Sequence, residues 1–369
     1  MRKILAIAAL SATVALAQDS QGQQSPSSPP QWALGPIEFS GLVDAYYSLN
    51  FNHPASRTNT LRNFDFRANQ FSLNMAKLEM QHAPDPVGFR IDLGFGRAWD
   101  LFHFAEPKDA LPIMRNIPQA YISVAPPKWG GFQVDIGKFY TSAGAELTEN
   151  HLTWSYSRAL LYANGPYYHF GIRTSKPLTK WWTAGVQLVN GWNNVEDNNT
   201  GKTIGLTSAM TSKKVSWYNT YYVGPEKTAT NKGIRHFWDT VLNLNPSDQA
   251  SFYVNFDYGV DKKAVNSGPD NDWWGIAFAH RYAVNDWFAL SPRVEYYKDS
   301  KGFITGTEQA LKEFTMTAEF KMKENFITRL EYRRDWSDKP FYDRGNELAN
   351  AKNMSTLTLG FIAYFAPKK

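Results

Sequence analysis

The stretch FRIDLGF, residues 89–95, decides the fold, because apolar and polar side chains alternate along it. Successive side chains of a β-strand point to opposite faces, so the Phe, Ile and Leu side chains share one face. Arg90 and Asp92 lie on the opposite face. This pattern recurs along nearly the whole chain. It is expected when lipid contacts the outside of a barrel and water contacts the inside. The sequence therefore predicts an all-β, transmembrane antiparallel barrel.

Segments with this period recur about sixteen times, an even count of the kind that single-chain outer-membrane barrels have. Within 70–81 the alternation changes parity after Met75, which predicts a β-bulge. That break and the short segment 203–210 leave counts from about fourteen to about eighteen open. The predicted strands are 37–49, 70–81, 88–98, 117–125, 132–140, 166–175, 182–192, 203–210, 214–223, 235–244, 250–260, 272–283, 286–298, 311–322, 325–336 and 353–365.

Short and long connections alternate between these segments. In outer-membrane barrels the short turns are periplasmic and the long loops are extracellular, so both ends of this barrel should lie in the periplasm. A soluble β-sandwich has no reason to sort its connections in this way. The long ones are 50–69, 99–116, 141–165, 193–202, 224–234, 261–271, 299–310 and 337–352.

The N-terminus has the organisation of an export signal. Arg2 and Lys3 precede an apolar segment, and Ala15-Leu16-Ala17 forms an A-x-A cleavage motif. We expect the protein in the bacterial outer membrane, exported through this cleaved signal. The predicted divisions are 1–17 as signal peptide, 18–36 as a disordered periplasmic lead-in, 37–365 as the barrel and 366–369 as a C-terminal tail.

The composition agrees with this fold. The mean hydropathy is −0.45, which barrels tolerate because only alternate residues meet lipid. Aromatic residues make up 15% of the chain, enough for belts at the membrane interfaces. The net charge of +5 and the absence of Cys argue against a nucleic-acid partner and a disulfide framework. Candidates for the belts are Trp181, Trp182, Trp273, Trp274 and Trp287.

Charged residues of both signs collect on the predicted inner faces. A charge facing hydrocarbon would cost about 2–4 kcal/mol, so these side chains should face the lumen. There they either line an aqueous pore or form ion pairs that brace the wall. The set comprises Arg90, Asp92, Asp135, Arg293, Glu295, Arg329, Glu331 and Arg333.

Residues 137–172 form the most distinctive segment, and residues 82–96 add to it. The motifs are Gly137-Lys138-Phe139, Gly144-Ala145-Glu146, Tyr156-Ser157-Arg158, Leu160-Leu161-Tyr162, Gly165-Pro166 with His169 and Gly171, and Asp85-Pro86-Val87-Gly88-Phe89-Arg90 followed by Asp92-Leu93-Gly94. Together they resemble the "Putative beta-barrel porin-2, OmpL-like" family of bacterial outer-membrane proteins. The resemblance implies a porin-like barrel.

In general porins a loop at the position of 141–165 folds into the lumen and narrows it, and the resemblance implies the same here. It makes Glu146, Glu149, His151 and Arg158 the candidates for the constriction. The alternative is that Gly144, Glu146, Tyr156 and Arg158 brace the loop against the wall. Both interpretations stay open.

A catalytic site finds little support. No His stands two residues before a Ser, and none of the seven His shows H-E-x-x-H or H-x-H spacing. We expect no enzyme activity, no cofactor and no metal. Cross-strand pairs stay possible, so an outer-membrane hydrolase is an alternative.

We therefore predict an outer-membrane channel for passive diffusion of small hydrophilic solutes or ions. Its partners would be membrane lipid, the solutes and, as one assembly open to it, two further copies in a homotrimer. A plugged structural or adhesin-like barrel also agrees with the sequence, as does a soluble secreted β-protein that binds carbohydrate through its aromatic residues.

Overall fold

The structure is a computed structural model that describes residues 33–34, 36–104, 106, 112–263, 270–323 and 325–365. The predicted signal peptide, nearly all of the predicted lead-in and the predicted tail at 366–369 lie outside these residues. Ala33–Leu34 pair with the first residues of the barrel.

Sixteen antiparallel strands form a closed barrel, and each strand pairs with its neighbours in sequence. The last strand pairs with the first through Leu359 and Tyr47, which removes every free sheet edge. This confirms the predicted fold class. The strands are β1 Ile37–Asn50, β2 Gln70–His82, β3 Val87–Phe95, β4 Ala120–Val124, β5 Gln133–Tyr140, β6 Tyr168–Pro177, β7 Trp182–Val189, β8 Thr203–Thr211, β9 Val215–Pro225, β10 Ile234–Leu244, β11 Ala250–Asp261, β12 Asn271–Ala283, β13 Phe288–Asp299, β14 Gln309–Lys323, β15 Phe326–Ser337 and β16 Asn353–Phe365.

The two faces of the wall differ in polarity. In β3, Leu93 is 40% exposed on the outside, whereas Asp92 beside it is fully buried inside. In β16, Leu359 is exposed and Thr358 is buried. Exposed apolar side chains form a band around the barrel that suits contact with hydrocarbon.

The bulge predicted in β2 is present. Asp44 of β1 lies opposite Met75, and the next residue, Ala45, lies opposite Leu73, so Asn74 is the extra residue. The bulge explains why the alternation changes parity here. The extra residue shifts the sequence pattern by one position, while the apolar side chains before and after it still face outward.

The connections are sorted as expected, with short turns at one end of the barrel and long loops at the other. We call these the turn end and the loop end. The loops after β1, β3 and β5 are named L1 (51–69), L2 (96–119) and L3 (141–167). L2 contains helix α1, Arg97–Phe102, and L3 contains helix α2, Leu160–Asn164. Among the described residues, none of the helices is long and apolar enough to cross a membrane.

The predicted aromatic belt needs one correction. Trp181 and Trp287 are more than half exposed near the turn end. Trp273, in contrast, is fully buried in the lumen, with its ring edge-on to Trp192. Its strand parity points inward, and the absence of a side chain at Gly259 makes room for its ring.

Candidate functional site

L3 runs through the inside of the barrel. Its residues 155–161 are buried, and they contact strands on several sides of the lumen. Gly144, near the start of the loop, has φ of 94°, a conformation that glycine adopts without strain. The inward path of L3 therefore brings loop residues against side chains that are far away in the sequence.

Three lumen-facing residues of β15 hold the main chain of L3. Glu331 accepts hydrogen bonds from the backbone N–H groups of Tyr156 at 2.6 Å and Ser157 at 2.9 Å. Arg329 donates to loop carbonyl oxygens, and Arg333 donates to the Ser157 hydroxyl at 3.2 Å. Charge-assisted bonds of this kind are about twice as strong as neutral ones, so β15 is a principal anchor.

A second anchor comes from β13. Arg293 donates to Glu146 at 2.6 Å and to the carbonyl oxygen of Ser157 at 2.9 Å. Glu295 accepts from the backbone N–H of Leu160 at 2.9 Å. Leu160 is the first residue of α2, and the N–H groups at the start of a helix have no partner within it. The carboxylate supplies that partner.

A third anchor lies farther around the wall, on β2 and β3. The Lys77 ammonium contacts Glu149 of L3 and lies 2.6 Å from Glu79 and 2.9 Å from Asp92. Arg90 completes the cluster by pairing with both wall carboxylates. The three carboxylates lie close enough to share a metal ion, but the Lys77 ammonium contacts all three. The cluster is therefore an ion-pair network that ties L3 to the wall.

The β1 side contributes contacts that the sequence interpretation missed. Asp44 accepts hydrogen bonds from the Tyr156 hydroxyl at 2.7 Å, from Asn150 and from the bulge residue Asn74. Gly360 of β16 leaves room for the Tyr156 ring, because a Cβ atom there would lie 2.2 Å from it. The parity break in β2 was the one sequence signal that pointed to this part of the lumen.

The Arg158 side chain forms its hydrogen bonds within L3. It is 2% exposed, and it donates to the carbonyl oxygens of Leu147 and Thr148, each at 2.7 Å. Burial tends to raise the pKa of Glu146, but the guanidinium groups of Arg293 and Arg158 outweigh it and hold the pKa below its usual range. Both charged groups are thus turned away from open space.

Glu149 and His151 differ in their surroundings. Burial tends to raise the pKa of Glu149, but the Lys77 ammonium outweighs it and lowers the pKa. The His151 ring is half-buried and stacks on Tyr364 with 4.6 Å between ring centroids. Burial lowers its pKa to about 4. His151 is therefore neutral near pH 7, and its Nδ1 has no hydrogen-bond partner among the described residues.

Asp135 stays in the wall. It pairs with Arg173 of β6 at 2.7 Å and accepts a hydrogen bond from Ser123 at 2.7 Å. Of the predicted lumen set, the five residues on β13 and β15 contact L3 or its carboxylates, and Arg90 and Asp92 reach it through Lys77. Asp135 differs from them because its described partners are wall residues outside the Lys77 cluster.

The face of L3 that stays partly exposed carries few charges. Trp154 on this face packs against Tyr253 of β11, with 5.3 Å between ring centroids. The arrangement puts the charged groups of the loop against the wall and leaves an almost uncharged surface toward the remaining space. The partly exposed residues of L3 are Thr141, Ser142, Ala143, Gly144, Ala145, Leu147, His151, Leu152, Trp154, Tyr162, Ala163, Asn164 and Gly165.

The fold is shared with solved outer-membrane proteins. An anion-selective porin from Comamonas acidovorans is 12% identical, with a TM-score of 0.60 over 89% of this chain and 99% of that one. The trimer form of OmpT from Vibrio cholerae is 13% identical, with a TM-score of 0.58 over 89% and 99%. The channel DcaP of Acinetobacter baumannii is 9% identical, with a TM-score of 0.58 over 89% and 96%. At these identities the likeness establishes the fold.

Sequence comparison is more specific. No curated protein sequence matches the chain. The model of one family, described as "Putative beta-barrel porin-2, OmpL-like", matches residues 36–365, which include the whole barrel.

Proposed function

The chain belongs to the "Putative beta-barrel porin-2, OmpL-like" family, and from that premise we propose a channel for passive diffusion of small hydrophilic solutes and ions across the outer membrane. The observation that carries the proposal is L3 itself, held inside the barrel from β2, β13 and β15. A loop anchored on several sides narrows a lumen at a fixed height and so limits the size of what passes. No covalent chemistry is involved.

We assign different roles to the predicted constriction residues. Glu146, Glu149 and Arg158 position the loop, since their charges are satisfied by the wall or by the loop's own carbonyl oxygens. His151 and Trp154 lie on the partly exposed face and set the width. Because the passage is narrow and the face of L3 toward it is almost uncharged, we expect a low conductance with weak ion preference.

The orientation follows the usual arrangement, with the loop end outside and the turn end and both termini in the periplasm. Residues 1–17 direct export and are cleaved. In this arrangement the apolar outer band contacts lipid, and solutes enter between the long loops.

We also propose a homotrimer, in which a second copy covers the part of the wall where the strands are shortest. β4 has five residues, which span only ~13 Å at ~3.3 Å per residue and ~40° tilt, against an apolar band of ~25 Å. β3 next to it has nine residues. Protein contact there removes the mismatch that lipid would meet. The OmpT structure from Vibrio cholerae is described as a trimer form.

A plugged barrel is the second candidate, and one observation favours it. The side chains of Arg293, Arg329 and Arg333 are at most 1% exposed, so the anchors of L3 are sealed from solvent. In such a barrel L3 would close the lumen and the ion pairs would serve stability alone.

Planar-bilayer recording of the purified protein tests the proposal. Wild type should give stepwise conductance, and a variant with a shortened L3 should give larger steps. A variant lacking the exposed tip of the last loop, residues 346–350, serves as a deletion control of another loop. Folding is checked for each by the gel shift that intact barrels show before boiling.

The outcomes separate the candidates. A silent wild type with a conducting L3 variant would identify a plugged barrel. Silence of both folded proteins would exclude the channel. Light scattering or crosslinking in detergent tests the trimer, and a monomer with a normally folded barrel would contradict it.

A further inference from the structure

The outside of the barrel carries a groove near the loop end that diffusion through the lumen does not use. Side chains of three adjacent strands line it: Tyr221 of β9, His236 and Trp238 of β10, Tyr258 of β11, and Lys262 directly after β11. Trp238 and Tyr258 are 42% and 43% exposed. The groove is thus a surface feature made mostly of aromatic rings, with two basic side chains.

The side chains that line the groove follow a definite order from the middle of the wall to its rim. Trp238 lies opposite Tyr221 on one side and Tyr258 on the other, so these rings form one row. His236 lies two residues nearer the rim on the same outer face. Lys262 follows at the rim, where its backbone N–H donates to the carbonyl oxygen of Ile234 at 3.1 Å. Aromatic rings, an imidazole and an ammonium therefore succeed one another along the membrane normal.

The polar groups at the top of the groove are positioned to meet an anion. The imidazole Nδ1 of His236 lies 2.6 Å from the Tyr221 hydroxyl, which fixes the ring and leaves Nε2 for another partner. Lys262 is exposed. Asp261, next to it, is fully buried on the inner face and pairs with Lys227 and with Arg235, the latter at 2.8 Å. The neighbouring carboxylate is thus neutralised inside the wall, while the positive charge of Lys262 faces outward.

We propose that this groove binds one phosphate-bearing anionic lipid at the loop end, for which phosphatidylglycerol is the probe. Its phosphate contacts Lys262 and His236, and an acyl chain lies along Trp238 and Tyr258. Charge complementarity is the basis, because the order aromatic, imidazole and ammonium matches the order acyl chain, glycerol and phosphate in a lipid. Amphipathic rings prefer that boundary, and a basic side chain there attracts an anionic headgroup. The site needs only a membrane-embedded barrel and is independent of conduction.

Native mass spectrometry of the full-length protein in detergent tests the site, with phosphatidylglycerol and phosphatidylcholine as the added lipids. Wild type should retain one phosphatidylglycerol in preference to phosphatidylcholine. Lys262→Glu should lower that retention by about fivefold or more, the effect of one basic residue at an anionic lipid surface. His236→Phe keeps a ring in place and should reduce the preference by a smaller factor.

Lys312→Glu is the matched control, because Lys312 is an exposed outward lysine near the loop end of β14 and lies away from the groove. It should keep the wild-type preference, and the gel shift on boiling confirms that each variant is folded. Equal losses in Lys262→Glu and Lys312→Glu would reduce the effect to general surface charge and overturn the site. So would an unchanged preference in Lys262→Glu, or displacement of the lipid by millimolar inorganic phosphate.

Discussion

The two halves of the lumen hold L3 by different means. On one side, β13, β15 and β2 use guanidinium, carboxylate and ammonium groups that are almost fully buried. On the other side, the start of L3 meets mostly neutral groups, with the carboxyl group of Asp239 at the Gly144 backbone as the exception. Gln187 of β7 donates to the Ser142 hydroxyl at 2.9 Å, and Thr220 of β9 donates to the Ser142 carbonyl oxygen at 3.0 Å. We call these the charged half and the neutral half.

The difference shows where the position of the loop is determined. Breaking a buried charged contact leaves an unpaired group in a dry site, which costs far more than the bond is worth in water. Losing a neutral hydrogen bond costs less. L3 should therefore respond strongly to changes in the charged half and weakly to changes in the neutral half.

The largest effect is expected for Glu331→Ala. The substitution removes the acceptor of two buried loop N–H groups, those of Tyr156 and Ser157, and should lower the free energy of unfolding by about 3 kcal/mol. L3 should detach and single-channel conductance should rise. Urea unfolding and bilayer recording measure the two effects. Glu331→Gln keeps one acceptor oxygen and should be intermediate; wild-type conductance in Glu331→Ala would refute the anchor.

The second-largest effect is expected for Arg158→Ala, because the Arg158 side chain holds L3 together from within. It loses donors to the carbonyl oxygens of Leu147 and Thr148, and we expect a loss of stability of about 2 kcal/mol and noisier, larger conductance steps. The reversal potential in a salt gradient is the second measurement. A changed reversal potential with unchanged stability would mean that the guanidinium selects ions instead. Arg158→Lys tests whether charge alone is sufficient.

A small effect is expected in the neutral half. Gln187→Ala removes two neutral hydrogen bonds, one donated to the Ser142 hydroxyl and one accepted from the Tyr222 hydroxyl. Since the Tyr222 hydroxyl keeps its contact with the Ser142 backbone, the free energy of unfolding should change by only about 1 kcal/mol. Conductance should stay within the scatter of wild type. An increase as large as that of Glu331→Ala would abolish the distinction between the halves.

The smallest effect concerns pH. The folded pKa of His151 is lowered to about 4 from 6.5 by burial, so the unfolded chain binds the proton more tightly than the folded protein. The contribution of His151 to stability is complete above pH 6.5 and is lost as the pH falls toward 4. Cation conductance should also fall near pH 4 as the ring becomes charged. His151→Gln should remove that component of the pH profile; an unchanged profile would assign it to another group.

The sequence was informative about the wall because the wall obeys a local rule. Alternation along each strand depends on adjacent residues alone, so the strands, a count near sixteen and a bulge in β2 could be predicted from it. Trp273 shows the limit of this approach. It was expected in the belt from its residue type, but the parity of its strand points it inward, where it meets Trp192.

The site was less accessible from the sequence, because its contacts join distant segments. The family resemblance indicated which loop enters the lumen, and period two placed Glu331 and Arg293 on the inner face. The partners of Glu331 are backbone N–H groups 174 and 175 residues away, which no local pattern reveals. The same holds for Lys77 and Asp44, whose importance depends on where L3 passes.

The position of Gly360 has a consequence for assembly. This residue, which makes room for the Tyr156 ring, lies on the last strand, and Glu331 lies on the strand before it. L3 is synthesised before the C-terminal strands, but it can bind in its final position only when those strands are present. Closure of the barrel also requires β16 to pair with β1. Contacts of such high sequence separation form late. Sealing of the wall and narrowing of the lumen should therefore occur as a single step, and a barrel caught before closure would hold a hydrated interior with a free loop.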